Sequence, residues 1–245
     1  MTYRHDSDIV IGNRYRRKNG SQQEFFKNIT LAKIEDYYFI KNLTLYGITE
    51  LEKRSKDIAW LVSHCNTPSK RERYVEDMKN NEELKIDIFG KCSTSKNSDD
   101  SIKLPSRHHN YESGYDILAQ EYKFYLSFEN AKCYNYITEK FFLALNSGML
   151  PIVMGGLSKH DYEKVAPPHS FIHVDDFQNS AELMMTLYRI SKNPVLYNSY
   201  FWWRTYYEFY SLNHKCQLCN VLNSKDFVTK NNYENFNSYW YKCMA

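Results

Sequence analysis

From Asp57 onward, short apolar runs alternate with longer stretches whose apolar residues recur at helical spacing. Residues 58–63 form a compact apolar run between polar neighbours, the pattern of a buried strand. Helical periodicity follows over 69–80, opened by Pro68-Ser69. Residues 85–90 alternate apolar and polar and end on Gly90, predicting a second strand. The stretch 93–114 is rich in Ser, Asn, Asp and His and predicts a long exposed loop. A third strand is predicted at 122–128, then a polar turn, a helix opening at Glu139-Lys140, and a fourth strand at 149–154. Residues 170–174 predict a fifth strand, and 179–192 and 194–210 read as helices. Residues 1–56 are polar and Tyr-rich and predict loops with a helix near 49–56.

Strands alternating with helices at this spacing predict an α/β fold with a Rossmann-like parallel sheet. The segment 122–156 is one βαβ unit with charged residues where the first strand hands over to the helix. Ligands of open α/β sheets collect at the carboxyl ends of the strands. Glu139 and Lys140 opening a helix there suit a phosphate-bearing ligand, because the helix N-terminus adds its own attraction for anions. The plainer alternative is an exposed helix start, with Glu139 favoured by the helix dipole. Neither GxGxxG nor a P-loop is present, so ordinary dinucleotide and ATP sites are not signalled.

Composition adds limits. The chain has 245 residues, enough to bury a sizeable core. A formal net charge of +3 is too small to argue for nucleic acid, no basic run supports it, and no nucleic-acid partner is expected. The 22 Tyr suit a carbohydrate or nucleotide handler and equally a Tyr-rich core. The six cysteines fit a reduced or an oxidised setting. Cys216 and Cys219 form one CxxC with no second pair and no His pair, which argues against tetrahedral zinc. A structural disulfide to another cysteine is the expectation for a secretory protein, and the sequons at Asn28 and Asn42 lean the same way. No signal peptide and no transmembrane run follow Met1. No His or carboxylate cluster calls for a metal.

Several motifs occur together and in order. They are residues 59–63 with Trp60 and Ser63, an Arg-bearing helix with Arg71 and Arg73, and the Gly90-Lys91-Cys92 strand end. Phe128-Glu129-Asn130 and Tyr136-Ile137-Thr138-Glu139-Lys140 follow, then residues 150–155, 167–177 and 200–204. This series resembles the α-1,3-fucosyltransferases, glycosyltransferase family 10, in their C-terminal GDP-fucose-binding half. The resemblance implies the donor half of a GT-B enzyme that transfers L-fucose from GDP-fucose to a GlcNAc hydroxyl of a glycan, in α-1,3 linkage and with inversion. It implies Arg71 and Lys140 as the pair that neutralises the departing diphosphate. Glu139 and Glu129 become candidates for stabilising positive charge on the fucosyl ring. Tyr136 is implied in binding fucose or phosphate, and Asn130 in bonding donor hydroxyls. Arg73 competes with Arg71, since the two face opposite sides of a helix; the Tyr that follows favours Arg71. Trp202 and Trp203 are expected to pack, and Asp175 and Asp176 either bind the nucleoside or cap a helix. No cofactor is implied, with Mn2+ or Mg2+ as a stimulant at most.

The chain also departs from the family pattern. Asn135 stands where Asp is usual, the helix at 142–145 is one residue short, and the loop after Cys92 lacks a second cysteine. These features lean towards the type that modifies N-glycan cores. The opening Thr2-Tyr3-Arg4-His5-Asp6-Ser7-Asp8 resembles a segment that lies after the acceptor half and its catalytic carboxylate in the family. The expected organisation is therefore an acceptor-domain remnant and link at 1–56, a GDP-fucose-binding domain at 57–215 and a tail with the CxxC at 216–245. The acceptor domain and membrane anchor of a type II Golgi protein facing the lumen are expected to be absent. The alternative expectation is a non-catalytic fragment that holds GDP-fucose without transferring it; an unstable product is a third.

Overall fold

The computed structural model describes residues 13–18, 53–94, 102–105, 111–134, 136–211, 214–223 and 243–244. In chain order the first elements are β1 (Asn13–Arg17), β2 (Lys56–Leu61), α1 (Arg71–Met78), β3 (Ile86–Phe89) and α2 (Tyr111–Glu121). Then come β4 (Tyr122–Phe128), β5 (Lys132–Cys133), α3 (Glu139–Ser147), β6 (Leu150–Met154), α4 (Lys159–Glu163) and β7 (Ile172–His173). The series ends with α5 (Ser180–Lys192), α6 (Pro194–Ser199), β8 (Tyr207–Ser211), α7 (His214–Asn223) and β9 (Cys243–Met244).

The main sheet runs β3-β2-β4-β6-β7 with every neighbouring pair parallel. Helices cover both of its faces, which is why its strands read as near-continuous apolar runs. On β4, Phe124, Leu126 and Phe128 point into a core shared with Leu183, Met184 and Leu187 of α5. Tyr125 points the other way, onto Tyr115 and Leu118 of α2. The fold class is therefore α/β with a Rossmann-like parallel sheet, as the alternating pattern predicts.

Several expectations need correction. The predicted loop at 93–114 is irregular at 93–94 and 102–105 but ends early, because α2 starts at Tyr111 and buries Tyr115, Leu118 and Ala119 at helical spacing. The strand predicted at 170–174 is only two residues long, because His173 Nδ1 accepts from the Asp175 amide and turns the chain into a 3-10 turn. The single helix predicted over 194–210 is α6, a 3-10 turn at Trp202–Thr205 and then β8. The loops predicted for 1–56 include β1, which pairs antiparallel with β8 and places Tyr15 edge-on to Trp203. Of the helix expected near 49–56, only Lys53 is helical among the described residues, and Lys56 already begins β2. Thr2–Asp8, the sequons and Asn135 lie outside the described residues.

A disulfide joins Cys65, after β2, to Cys92, after β3, and so ties two loops at the carboxyl edge of the sheet. Cys133 is also disulfide-bonded, and its register partner across β5 and β9 is Cys243. Cys216 and Cys219, expected in a structural disulfide, are instead exposed thiols one turn apart on α7. No helix among the described residues is long and apolar enough to cross a membrane.

Candidate functional site

The carboxyl ends of β2 and β4 meet the N-termini of α1 and α3, and most of the charged candidates gather there. Lys70 adopts a left-handed conformation (φ 52°) that turns the chain sharply into α1, so that Arg71 is its first residue. The turn is braced by Thr67, whose amide and hydroxyl both donate to the Glu72 carboxylate, at 3.1 and 2.9 Å. It is fastened to β4 by Ser69, which donates through its hydroxyl to the Glu129 carbonyl and through its amide to the Asn130 carbonyl, at 2.8 and 3.2 Å.

Arg71 is buried at 3% exposure. Its two terminal nitrogens donate to the carbonyls of Phe128 (2.5 Å) and His64 (3.2 Å), and its guanidinium lies 5.6 Å from the Trp60 ring centre. The Nε–H is buried with no partner, leaving one donor unspent at the strand edge. Burial pulls the Arg71 pKa down, while the nearby Glu129 and Glu72 charges oppose that shift. Arg73, two residues on, is exposed on the other side of α1. The geometry thus separates the two arginines that compete in the sequence.

Glu129 follows β4 and has no exposed surface. Oε1 accepts from the Thr138 amide at 2.8 Å. The Thr138 hydroxyl lies 2.8 and 2.9 Å from the two carboxylate oxygens, and the Lys140 ammonium lies 3.3 Å from Oε2. Lys140 Nζ also donates to Thr138 Oγ1 at 2.6 Å and stands 3.7 Å from Glu139. Glu139 opens α3 and keeps 28% of its side chain exposed. Tyr136 and Asn130 are half-buried in the same loop, and Tyr136 is close enough to Arg71 to act on its charge. Arg71, Glu129, Tyr136, Glu139 and Lys140 therefore share one corner, with Asn130 beside them and Arg73 outside.

Trp202 and Trp203 are buried, and both ring N–H groups bond backbone carbonyls, so both pack. Asp176 pairs with Lys159 at 2.7 Å, whereas the Asp175 side chain is 75% exposed at the end of β7. Three residues of this corner were given no functional role by sequence reasoning. Ser69 fastens the loop, Thr138 links Glu129 to Lys140, and the buried Tyr162 hydroxyl has no partner. Among the described residues no group of three or more His, Cys, Asp or Glu is placed to hold a metal ion.

Residues 51–239 match the family described as Glycosyltransferase family 10 (fucosyltransferase) C-term. The chain is 38% identical over 189 residues to glycoprotein 3-alpha-L-fucosyltransferase A of Drosophila melanogaster, covering 76% of this chain and 35% of that protein. It is 35% identical over 189 residues to alpha-(1,3)-fucosyltransferase C of the same organism, covering 77% of this chain and 41% of that protein. The matched region is thus well under half the length of these relatives. A crystal structure of an alpha1,3-fucosyltransferase with GDP-fucose aligns with a TM-score of 0.48 at 20% identity, over 85% of this chain and 59% of its own. With a family match that runs through every element of the parallel sheet, the chain belongs to glycosyltransferase family 10, the fucosyltransferases, and carries its C-terminal part.

Proposed function

We propose that this chain is the donor-binding part of an α-1,3-fucosyltransferase, the donor half of a GT-B architecture. It holds GDP-fucose at the carboxyl edge of the sheet for transfer of L-fucose to a GlcNAc hydroxyl of a glycan. The observation that carries the reading is one corner with two fixed cations, Arg71 and Lys140, beside the N-terminus of α3. The N-cap residue of that helix makes no side-chain cap bond, and the helix dipole favours an anion at that end.

In this reading Lys140 faces the diphosphate, and the buried Arg71 guanidinium adds its positive charge from behind the strand edge. As the bond between fucosyl C1 and the phosphate oxygen breaks, negative charge grows on the leaving group, and preorganised cations lower the barrier. The acceptor oxygen attacks C1 from the opposite face, which inverts the configuration there. Glu139 stabilises positive charge on the ring. Tyr136 and Asn130 bind the sugar or phosphate, and Arg73 contributes only from the outer face of α1. The Glu129 oxygens are engaged by Thr138 and Lys140, so Glu129 acts through them. Two fixed cations supply the charge that a divalent ion would bring, making Mn2+ or Mg2+ a stimulant at most.

In this reading the base that takes the acceptor proton, and the acceptor subsite, lie outside the donor domain. Residues 57–215 form the donor domain in this scheme, 1–56 the link towards the acceptor side and 216–245 the tail. The site of action in this reading is the Golgi lumen.

Calorimetric titration of the folded chain with GDP-fucose, with Lys140→Ala as the comparison, tests the reading. Binding that weakens about tenfold or more in the variant supports Lys140 on the phosphates. Equal binding by both proteins rejects that role, and no binding by the unaltered, cooperatively folding chain rejects a self-sufficient donor site.

A further inference from the structure

We infer that Thr138 is a positioning residue: its hydroxyl aims the Lys140 ammonium and leaves the N-terminus of α3 open to the anionic group of the donor. The inference rests on the donor reading above and adds a residue to it. Thr138 occupies the N-cap of α3 in extended conformation, φ −102° and ψ −178°. A threonine at that position ordinarily turns its hydroxyl back to accept an amide of the first turn. Here it makes no such bond. Oγ1 instead lies 2.6 Å from Lys140 Nζ and 2.8 and 2.9 Å from the Glu129 oxygens.

The direction of these bonds follows from the groups themselves. An ammonium only donates and a carboxylate only accepts, so Lys140 donates to Oγ1 and the hydroxyl proton goes to Glu129. Thr138 is 2% exposed and Glu129 0%, so water does not compete for this chain of bonds. Lysine has four rotatable bonds, and a second fixed partner beside the carboxylate removes much of that freedom before any ligand arrives. The same diversion spares the first amides of α3 from an internal cap, at the end where the helix dipole favours negative charge.

The test compares the full chain with Thr138→Val, which keeps the branched shape and loses the hydroxyl, and with Thr138→Ser, which restores it. Binding of GDP and of guanosine is measured for each. Without ligand, the rate of Lys140 acetylation by acetic anhydride is followed by mass spectrometry. Thr138→Val is expected to weaken GDP about tenfold, to leave guanosine within about twofold and to speed Lys140 acetylation, while Thr138→Ser stays near the unaltered chain. Thr138→Ala is the second variant should the valine side chain prevent folding.

The inference is overturned if the hydroxyl-free variants keep both GDP affinity and the slow acetylation of Lys140. It is equally overturned if GDP and guanosine weaken alike and serine restores neither, since that is the mark of a purely structural residue. Failure of the unaltered chain to bind GDP removes the donor reading and the role of α3 with it. The acetylation rates then still decide whether Thr138 aims Lys140.

Discussion

The Lys140 ammonium stands 3.3 Å from Oε2 of Glu129, a carboxylate with no exposed surface that also bonds the amide and hydroxyl of Thr138. A buried charge of this kind is expensive unless its partners stay in place, and removing one side leaves the other uncompensated. Glu129→Gln keeps the shape and an acceptor for the Thr138 amide but removes the negative charge beside Lys140 and Arg71. Urea unfolding near neutral pH is expected to show a loss of about 3 kcal/mol, with Glu129→Ala losing more. A change within error would mean that the pair is neutral and that Glu129 is retained for another reason.

Two glycines provide opposite expectations. A Cβ on Gly156 would meet the Lys132 carbonyl carbon at 2.5 Å and the Cys133 amide nitrogen at 2.6 Å, both backbone atoms that cannot swing aside. Gly156 is what lets the segment after β6 pass against β5, in the loop that leads to Tyr136. Gly156→Ala is therefore expected to cost about 1–3 kcal/mol or more and to weaken GDP binding as the loop shifts. Gly114 lies in the first turns of α2, and nothing stands within 4 Å of its would-be Cβ. Gly114→Ala should stabilise the protein by about 0.5–1 kcal/mol through helix propensity. Thermal unfolding of the two variants should move in opposite directions.

The Cys65–Cys92 disulfide closes a loop with a sequence separation of 27 that contains α1 and β3. Chain-entropy reasoning assigns such a crosslink about 3–4 kcal/mol, carried by the unfolded state. Replacing both cysteines by Ser should lower stability by about that amount and leave Arg71 in place, because Ser69 and the carbonyls of Phe128 and His64 still hold it. Unfolding free energy and GDP affinity measured on one preparation separate the two effects. A loss of affinity larger than the loss of stability explains would show that the disulfide shapes the site itself.

How much of this was legible in the sequence depends on how local each signal is. The strands β2, β4 and β6 were readable because a sheet covered on both faces favours near-continuous apolar runs, and β3 from its alternation ending on Gly90. The helices α1, α3 and α5 carry their burial as a period, and the family motifs added the charged candidates. The ribbon of β1 and β8 was not readable, because its register pairs Asn13 with Ser211 and neither segment signals the other. Without that partner, the aromatic run after Pro194 resembles a helix; with it, the same residues favour a strand. The choice between Arg71 and Arg73 was visible only as two sides of a helix, and burial separated them. Thr138 stood in the Tyr136–Lys140 motif without a role, because its importance lies in Glu129, nine residues away across a turn.

His169 gives the chain a predictable response to acid. It takes a left-handed conformation (φ 52°), stacks on Tyr200 with ring centres 4.1 Å apart, and has Nε2 at 3.3 Å from Ser199 Oγ. Burial, with the Lys159 charge as a smaller contribution, pulls its pKa from 6.5 down to about 3, so the ring is neutral in the fold at neutral pH. The unfolded chain takes up a proton near pH 6.5 and the folded one does not until about pH 3. Between those values the unfolded state binds more protons, so stability rises with pH. The contribution is complete above the unfolded pKa and is lost as pH falls through the window. His169→Asn removes the titrating ring while keeping a residue that tolerates positive φ. The stability advantage of the unaltered chain over this variant should shrink steadily from about pH 7 to about pH 4.5 in urea titrations. A constant advantage across that range would mean that His169 is protonated as readily in the fold as in the unfolded chain.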